Sequence, residues 1–250
     1  QTCDDQCHTL WSIVRSRFKT TESTYANDPN AYGESIGLRM NAVKYWSGLG
    51  AMLYYGWSVN AYAGTPATGY VMHVQLTPAM CALNSNDSKK RKCLEGYSLN
   101  IAGLYPEKLS AQCQSSSSAT LPLLQAKVVA RVMPDEGARL HLWRSIGGCV
   151  AMNASQYFRT VINYADRLTV PNDLSHAETY QVSAAYIQQR FMKLNPQLPA
   201  KAIHFQCQQQ RKMTYLTEIR VCYKPNGQYK ACPAHVQSNC PSHYYIKGAY

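Results

Sequence analysis

The sequence predicts an α+β domain, an antiparallel sheet with helices packed to its sides, preceded by a helical extension. Strand-like apolar runs stand far apart, from Tyr70 onward and at residues 202–207 and 216–223, so the sheet has to be assembled from distant segments. Helix-like stretches at 121–132 and 155–168 lie between them, which is the pattern of helices segregated onto an antiparallel sheet. Hydrophobic residues make up 46% of the 250, enough for the core of one large domain or of one domain with an extension.

Ten Cys indicate an oxidising compartment, because cytosolic thiols are kept reduced. No C-x-x-C pair points to zinc, there is no Gly-rich phosphate loop or internal repeat, and no cofactor or metal is expected. The chain opens at Gln1 without a basic or apolar leader, which reads as a mature exported protein. The net charge of +11 is diffuse, apart from the cluster Lys89-Lys90-Arg91-Lys92 between Cys81 and Cys93. That cluster reads as a solvated loop tip, with contact to an anionic surface as the alternative. It contains none of the interleaved aromatics that favour single-stranded RNA.

Taken in order, residues 4–19 read as a stretch that can form an amphipathic helix with Leu10, Trp11, Val14 and Phe18 on one stripe. Asp4 and Asp5 in its first turn, and Arg15, Arg17 and Lys19 toward its end, suit the helix dipole. Cys3 and Cys7 share a face of this helix and bond each other or another chain. Residues 20–31 are polar, with Pro29 as a breaker. Residues 45–64 carry no charge over 20 positions, which is long enough to span a bilayer. Its Gly residues and its evenly spread aromatics argue against a spanning helix. Packing on the core and binding a partner both remain open, and Trp46, Tyr54, Tyr55 and Trp57 are the candidate interaction residues.

From Tyr70 the chain reads as a strand, a disulfide-closed loop and a second strand reaching Leu104. Residues 115–118 form a short loop, and Pro171 and Pro199 bracket a polar, helical stretch. Between the late strand and Cys232, Lys224-Pro225-Asn226-Gly227-Gln228 carries the Asn-Gly signal of a hairpin, which brings Cys222 and Cys232 together.

Several segments in order resemble the ribonuclease T2 family. Residues 97–107 read Tyr-Ser-Leu-Asn-Ile-Ala-Gly-Leu-Tyr-Pro-Glu, similar to that family's first active-site segment, with Ala102 where the family has His. His141-Leu142-Trp143-Arg144-Ser145-Ile146-Gly147-Gly148-Cys149 is similar to the second segment, His-Glu-Trp-x-Lys-His-Gly-Thr-Cys. His141, Trp143, Gly147 and Cys149 match it; Leu142, Ser145 and Ile146 replace its Glu, Lys and His. Residues 70–81 resemble the family's first core strand, Tyr157-Phe158 a helical pair after the second motif, and residues 216–233 its late hairpin. The ending is closest to bacterial periplasmic members. The likeness divides the chain into an extension, 1–68, and a T2-like domain, 69–250.

The resemblance implies disulfides Cys81–Cys93, Cys113–Cys149 and Cys207–Cys240, each contributing ~2–4 kcal/mol. It implies the family's reaction at the matched positions: one His takes the ribose 2′-hydroxyl proton, a second protonates the leaving oxygen, and Glu and Lys stabilise the phosphorane. Proton transfer contributes about 10²–10⁴ in rate and each stabiliser about 10²–10³. With Ala102, Leu142, Ser145 and Ile146 in those places, the expectation is a protein that is not an enzyme. The other imidazoles, His8, His73, His176, His204, His235 and His243, read as surface or packed residues. Leu142 and Ile146 imply a drier cleft, so RNA is not the expected partner.

The expected role is a structural or interaction subunit of an exported or cell-envelope assembly, joined to membranes only through partners. The location expected is periplasmic, outer-membrane-associated or secreted. One such assembly is the outer-membrane core of a Dot/Icm-type type IV secretion system. The alternative is a secreted RNA-binding protein that sequesters RNA.

Overall fold

The computed structural model describes residues 67–248 apart from positions 85 and 87. The expected helix at 4–19, the Cys3–Cys7 bond and the interaction residues Trp46, Tyr54, Tyr55 and Trp57 lie outside the described residues.

Six strands form one sheet: β1 (Tyr70–Leu76), β2 (Leu99–Pro106), β3 (Tyr180–Ser183), β4 (Ile203–Gln210), β5 (Met213–Tyr223) and β6 (His243–Ile246). Their order is β2-β1-β5-β6-β3, with β4 also paired to β5. The pairs β1–β2, β1–β5, β4–β5 and β3–β6 are antiparallel, as expected. The contact of β6 with β5 is parallel, through Tyr215 and Tyr245, so the sheet is mixed rather than wholly antiparallel. β6 follows a long excursion through the Cys207–Cys240 bridge, so no tight turn constrains its direction.

Helices α1 (Thr77–Leu83), α2 (Arg91–Leu94), α3 (Leu123–Ala130), α4 (Glu136–Ile146), α5 (Ala154–Ala165) and α6 (Ala184–Leu194) complete the domain. α3 and α5 occupy the stretches that the periodicity marks as helical. α5 starts in a capping box: the Asn153 side chain accepts from Gln156 N–H, and Gln156 Oε1 accepts from Asn153 N–H. No helix among the described residues is long and apolar enough to cross a membrane.

Alternation along the strands sorts the sheet's two faces. Met72, Val74 and Leu76 of β1, Ile203 and Phe205 of β4, and Ile219, Val221 and Tyr223 of β5 enter the main core. Against them lie Leu142, Trp143 and Ile146 of α4 and Tyr157, Phe158 and Val161 of α5. The intervening residues are half-buried and polar: His73 and Gln75 on β1, Glu218 and Arg220 on β5, His204 and Gln206 on β4.

The four expected bridges join Cys81 to Cys93, Cys113 to Cys149, Cys207 to Cys240 and Cys222 to Cys232. The Asn-Gly turn forms, with Gly227 at φ +78°, a left-handed conformation that glycine adopts at no steric cost. The return strand is shorter than a full hairpin: Tyr223 and Tyr229 make one isolated bridge.

β2 is an edge strand, and one residue in it is unpaired. His73 lies opposite Gly103 and Val74 opposite Ile101, so Ala102 is the extra residue of a β-bulge. Beyond the bulge, Leu104 is held from the helix side. Tyr157 Oη donates to Leu104 C=O at 2.9 Å and accepts from Leu104 N–H at 3.1 Å, with both residues fully buried. Tyr157→Phe leaves two buried backbone groups without that partner and is expected to cost about 1–3 kcal/mol, read as a lower urea midpoint. An unchanged midpoint would show that the hydroxyl is dispensable.

Candidate active site

The bulge aims Ala102 off the sheet together with Tyr105, and both line a pocket of about 410 Å³. The opposite wall is α4, whose Ala138, His141, Leu142 and Ser145 follow one another at helical spacing along the pocket. The segments containing Ala102 and His141, 39 residues apart, therefore face each other as the resemblance implies. Gly103 permits the approach: a β-carbon there would stand 2.9 Å from both Leu142 methyls.

The four replacement residues behave differently. Ala102 is on the pocket wall and half-buried. Ser145 lines the pocket too, but its hydroxyl donates back to Leu142 C=O at 2.7 Å. Leu142 touches the pocket yet is only 3% exposed. Ile146, 1% exposed, belongs to the core and is absent from the pocket wall. Of the matched residues of that motif, His141 lines the pocket, while Trp143 is structural: it packs on Tyr157 with ring centroids 5.7 Å apart, and its Nε1 donates to Ser117 C=O at 3.1 Å. Gly147 and Gly148 let α4 run onto the 110–117 loop, which Cys113–Cys149 ties down.

Ile146 turns inward to join the core, where burial of hydrocarbon is favourable, while Leu142 stays at the pocket wall. The basic cluster is not simply a solvated tip. Lys90 and Lys92 both line the pocket. Lys92 is 5% exposed, and its Nζ donates to Gln75 Oε1 at 3.1 Å. The Cys81–Cys93 bridge and the short helix α2 bend this loop back onto β1. Asn100, buried and accepting from Thr77 Oγ1 at 3.1 Å, stands next to it on the wall. The sequence signal was the bridge itself, which shortens the loop enough to keep its lysines near the sheet.

A second polar group lies beside this pocket and was missed in the sequence. His73 Nδ1 is 3.2 Å from Glu218 Oε1, and Arg220 Nε donates to the same oxygen at 2.8 Å. Burial pushes the Glu218 carboxyl up, but the hydrogen bond and charge of His73, and then those of Arg220, outweigh it and hold the group below its ordinary value. Burial first, and then the Glu218 charge, push the Tyr105 phenol up, so it stays neutral. Alternating polar residues in 70–76 and 216–223 were the only sequence signal for this face. Among the described residues no group of three or more His, Cys, Asp or Glu side chains is placed to hold a metal ion.

The ribonuclease T2 family matches residues 68–232, and the chain belongs to that family. No functionally curated protein matches it. Its fold is that of solved T2-type proteins. Ribonuclease MC1 from bitter gourd seeds superposes with a TM-score of 0.55 at 15% identity, covering 70% of this chain and 98% of that one. The S3-RNase of Japanese pear gives 0.55 at 16%, covering 70% and 98%. An RNase-related protein from Calystegia sepium gives 0.55 at 12%, covering 73% and 98%. At such identities the likeness establishes the fold.

Membership of a ribonuclease family overturns the expectation that the chain is not an enzyme. Ala102 and Ile146 carry no transferable proton, so the groups that serve this cleft have to be sought among its other side chains. The four disulfides and the family fit an extracellular or secreted protein.

The inward turn of Ile146 makes the two His positions unequal. Ile146→His buries an imidazole in the core and is expected to destabilise the fold by about 2 kcal/mol or more. Ala102→His, which points into the pocket, should stay within about 0.5 kcal/mol of the parent. Paired thermal melts check this, and equal losses would contradict the inward placement.

Proposed function

We propose that this chain is an exported ribonuclease T2-family protein that binds single-stranded RNA in the cleft between β2 and α4. The observation that supports this is the arrangement of Lys90, Lys92 and His141 around Ala102. Three cationic or cationisable groups converge on a pocket with one acidic residue, Asp135, on its wall. Phosphate contacts of this kind make binding salt-dependent. Tyr105, Gln75 and Asn100 on the same pocket wall offer a ring face and amides to a base or a ribose.

Fluorescence anisotropy with a short single-stranded RNA tests the reading. Two or three phosphate contacts predict a slope of log K against log salt of about −1.4 to −2.1. Lys90→Glu should weaken binding about tenfold at low salt and flatten that slope. Affinity that is undetectable at low salt, or indifferent to Lys90→Glu, would refute RNA binding in this cleft.

A second reading has its own support. Leu123 and Leu124 at the start of α3 are 74% and 77% exposed, and Leu94 and Leu109 are 75% and 56% exposed. Leu123 and Leu124 adjoin in sequence, and an exposed apolar pair at the start of α3 offers a contact to other exported proteins. The location in this reading is the periplasm or the outer membrane, within an envelope assembly such as a type IV secretion core complex. The full chain purified from its native envelope should then elute well above its monomer mass, and Leu123→Ser with Leu124→Ser should shift it back. Recovery of the unaltered chain as a monomer would remove this reading.

A further inference from the structure

The polar face of the sheet holds a histidine–carboxylate pair directly beside the pocket. His73 and Glu218 sit on neighbouring strands, where β1 and β5 pair over six positions. The imidazole Nδ1 faces Glu218 Oε1 at 3.2 Å, which leaves Nε2 for another partner. The His73 ring rests on the Tyr105 ring, with centroids 4.5 Å apart and planes at 52°. The side chains of His73, Glu218 and Arg220 are 21%, 15% and 29% exposed, sheltered but within reach of a ligand.

Two residues of the pocket wall flank His73. Gln75 lies two positions along β1 on the same face, and Tyr105 touches it from β2. The pair therefore borders the cleft in which RNA is placed above. The charged groups facing it are Glu218 and Arg220 from β5, with His204 of β4 beyond Arg220.

We propose that His73, oriented by Glu218, is a catalytic residue of this cleft and accepts the proton of a ribose 2′-hydroxyl. The proposal rests on the RNA reading above. A carboxylate at Nδ1 selects the tautomer with a lone pair on Nε2 and stabilises the imidazolium that forms. The hydrogen bond from His73, and then Arg220, keep that carboxylate ionised. In the step, the 2′-hydroxyl proton moves to His73 Nε2 and the freed electron pair forms the bond from the 2′ oxygen to phosphorus. The bond from phosphorus to the 5′ oxygen breaks, and the departing oxygen takes a proton from His141 in its protonated form. The products are a 2′,3′-cyclic phosphate end and a 5′-hydroxyl end. Water returns both imidazoles to their starting states.

The test follows cyclic-phosphate ends released from a short single-stranded RNA, alongside anisotropy on the same RNA. The unaltered chain should cleave. His73→Ala should slow cleavage by about 10²–10⁴ while RNA affinity changes less than about threefold. Added imidazole should restore part of the rate to His73→Ala and leave the parent unchanged. Glu218→Gln should lower the rate at intact binding, as a positioning residue does. If His73→Ala fails to fold, His73→Gln keeps the hydrogen bond to Glu218 and serves in its place. A parent chain that binds RNA but never cleaves it overturns this inference and leaves the RNA reading standing. A parent that does not bind overturns both. Unslowed cleavage by His73→Ala, or a loss that imidazole does not rescue, also overturns it.

Discussion

The two hydrogen bonds between Tyr157 and the backbone of Leu104 set the geometry on which the rest of the site depends. β2 is an edge strand, and an edge strand exposes backbone groups that must find partners. Tyr157 supplies them from α5, so the helix layer and the sheet edge meet at a fixed point. That point lies two residues beyond the Ala102 bulge. Held there, the bulge aims Ala102 and Tyr105 toward α4, and the stripe from Ala138 to Ser145 closes the pocket from the other side. Packing of Leu142 against Gly103 completes the fit, because glycine alone leaves room for the leucine methyls.

Charge in the cleft follows from covalent restraint rather than from composition. A run of four basic residues on a free loop would repel itself and spread into solvent. Cys81–Cys93 closes that loop, and α2 returns it to β1, so Lys92 is buried with its ammonium on Gln75. A buried ammonium is costly unless hydrogen-bonded, which makes Gln75 part of the structure as well as part of the wall. On the sheet, His73, Glu218 and Arg220 solve the same problem by pairing with one another. Both arrangements put titratable groups where water is partly excluded and electrostatic interactions are strong.

Much of the framework was legible from residues whose roles are local. The Asn226-Gly227 turn, the helical periods around α3 and α5, and the ordered motifs with their cysteines each depend on neighbours in sequence. The parallel arrival of β6, the burial of Lys92 and the inward turn of Ile146 depend on partners tens of residues away. Ile146 shows the difference plainly. By motif it stands at a site position, yet hydrocarbon joins the core when the helix can rotate it there, and the pocket wall is left to His141 and Ser145.

By itself the sequence determined the α+β class, the family, the oxidising environment and the identity of the residues at each motif position. Those features are written in composition, spacing and order along the chain. Tertiary structure alone decided which of those residues share a surface. His73 and Glu218 are 145 positions apart, and only the antiparallel register of β1 with β5 brings imidazole to carboxylate. Alternation tells that each faces out of its strand's apolar stripe, but the pairing of strands, and hence the chemistry at the edge of the cleft, is a property of the folded sheet.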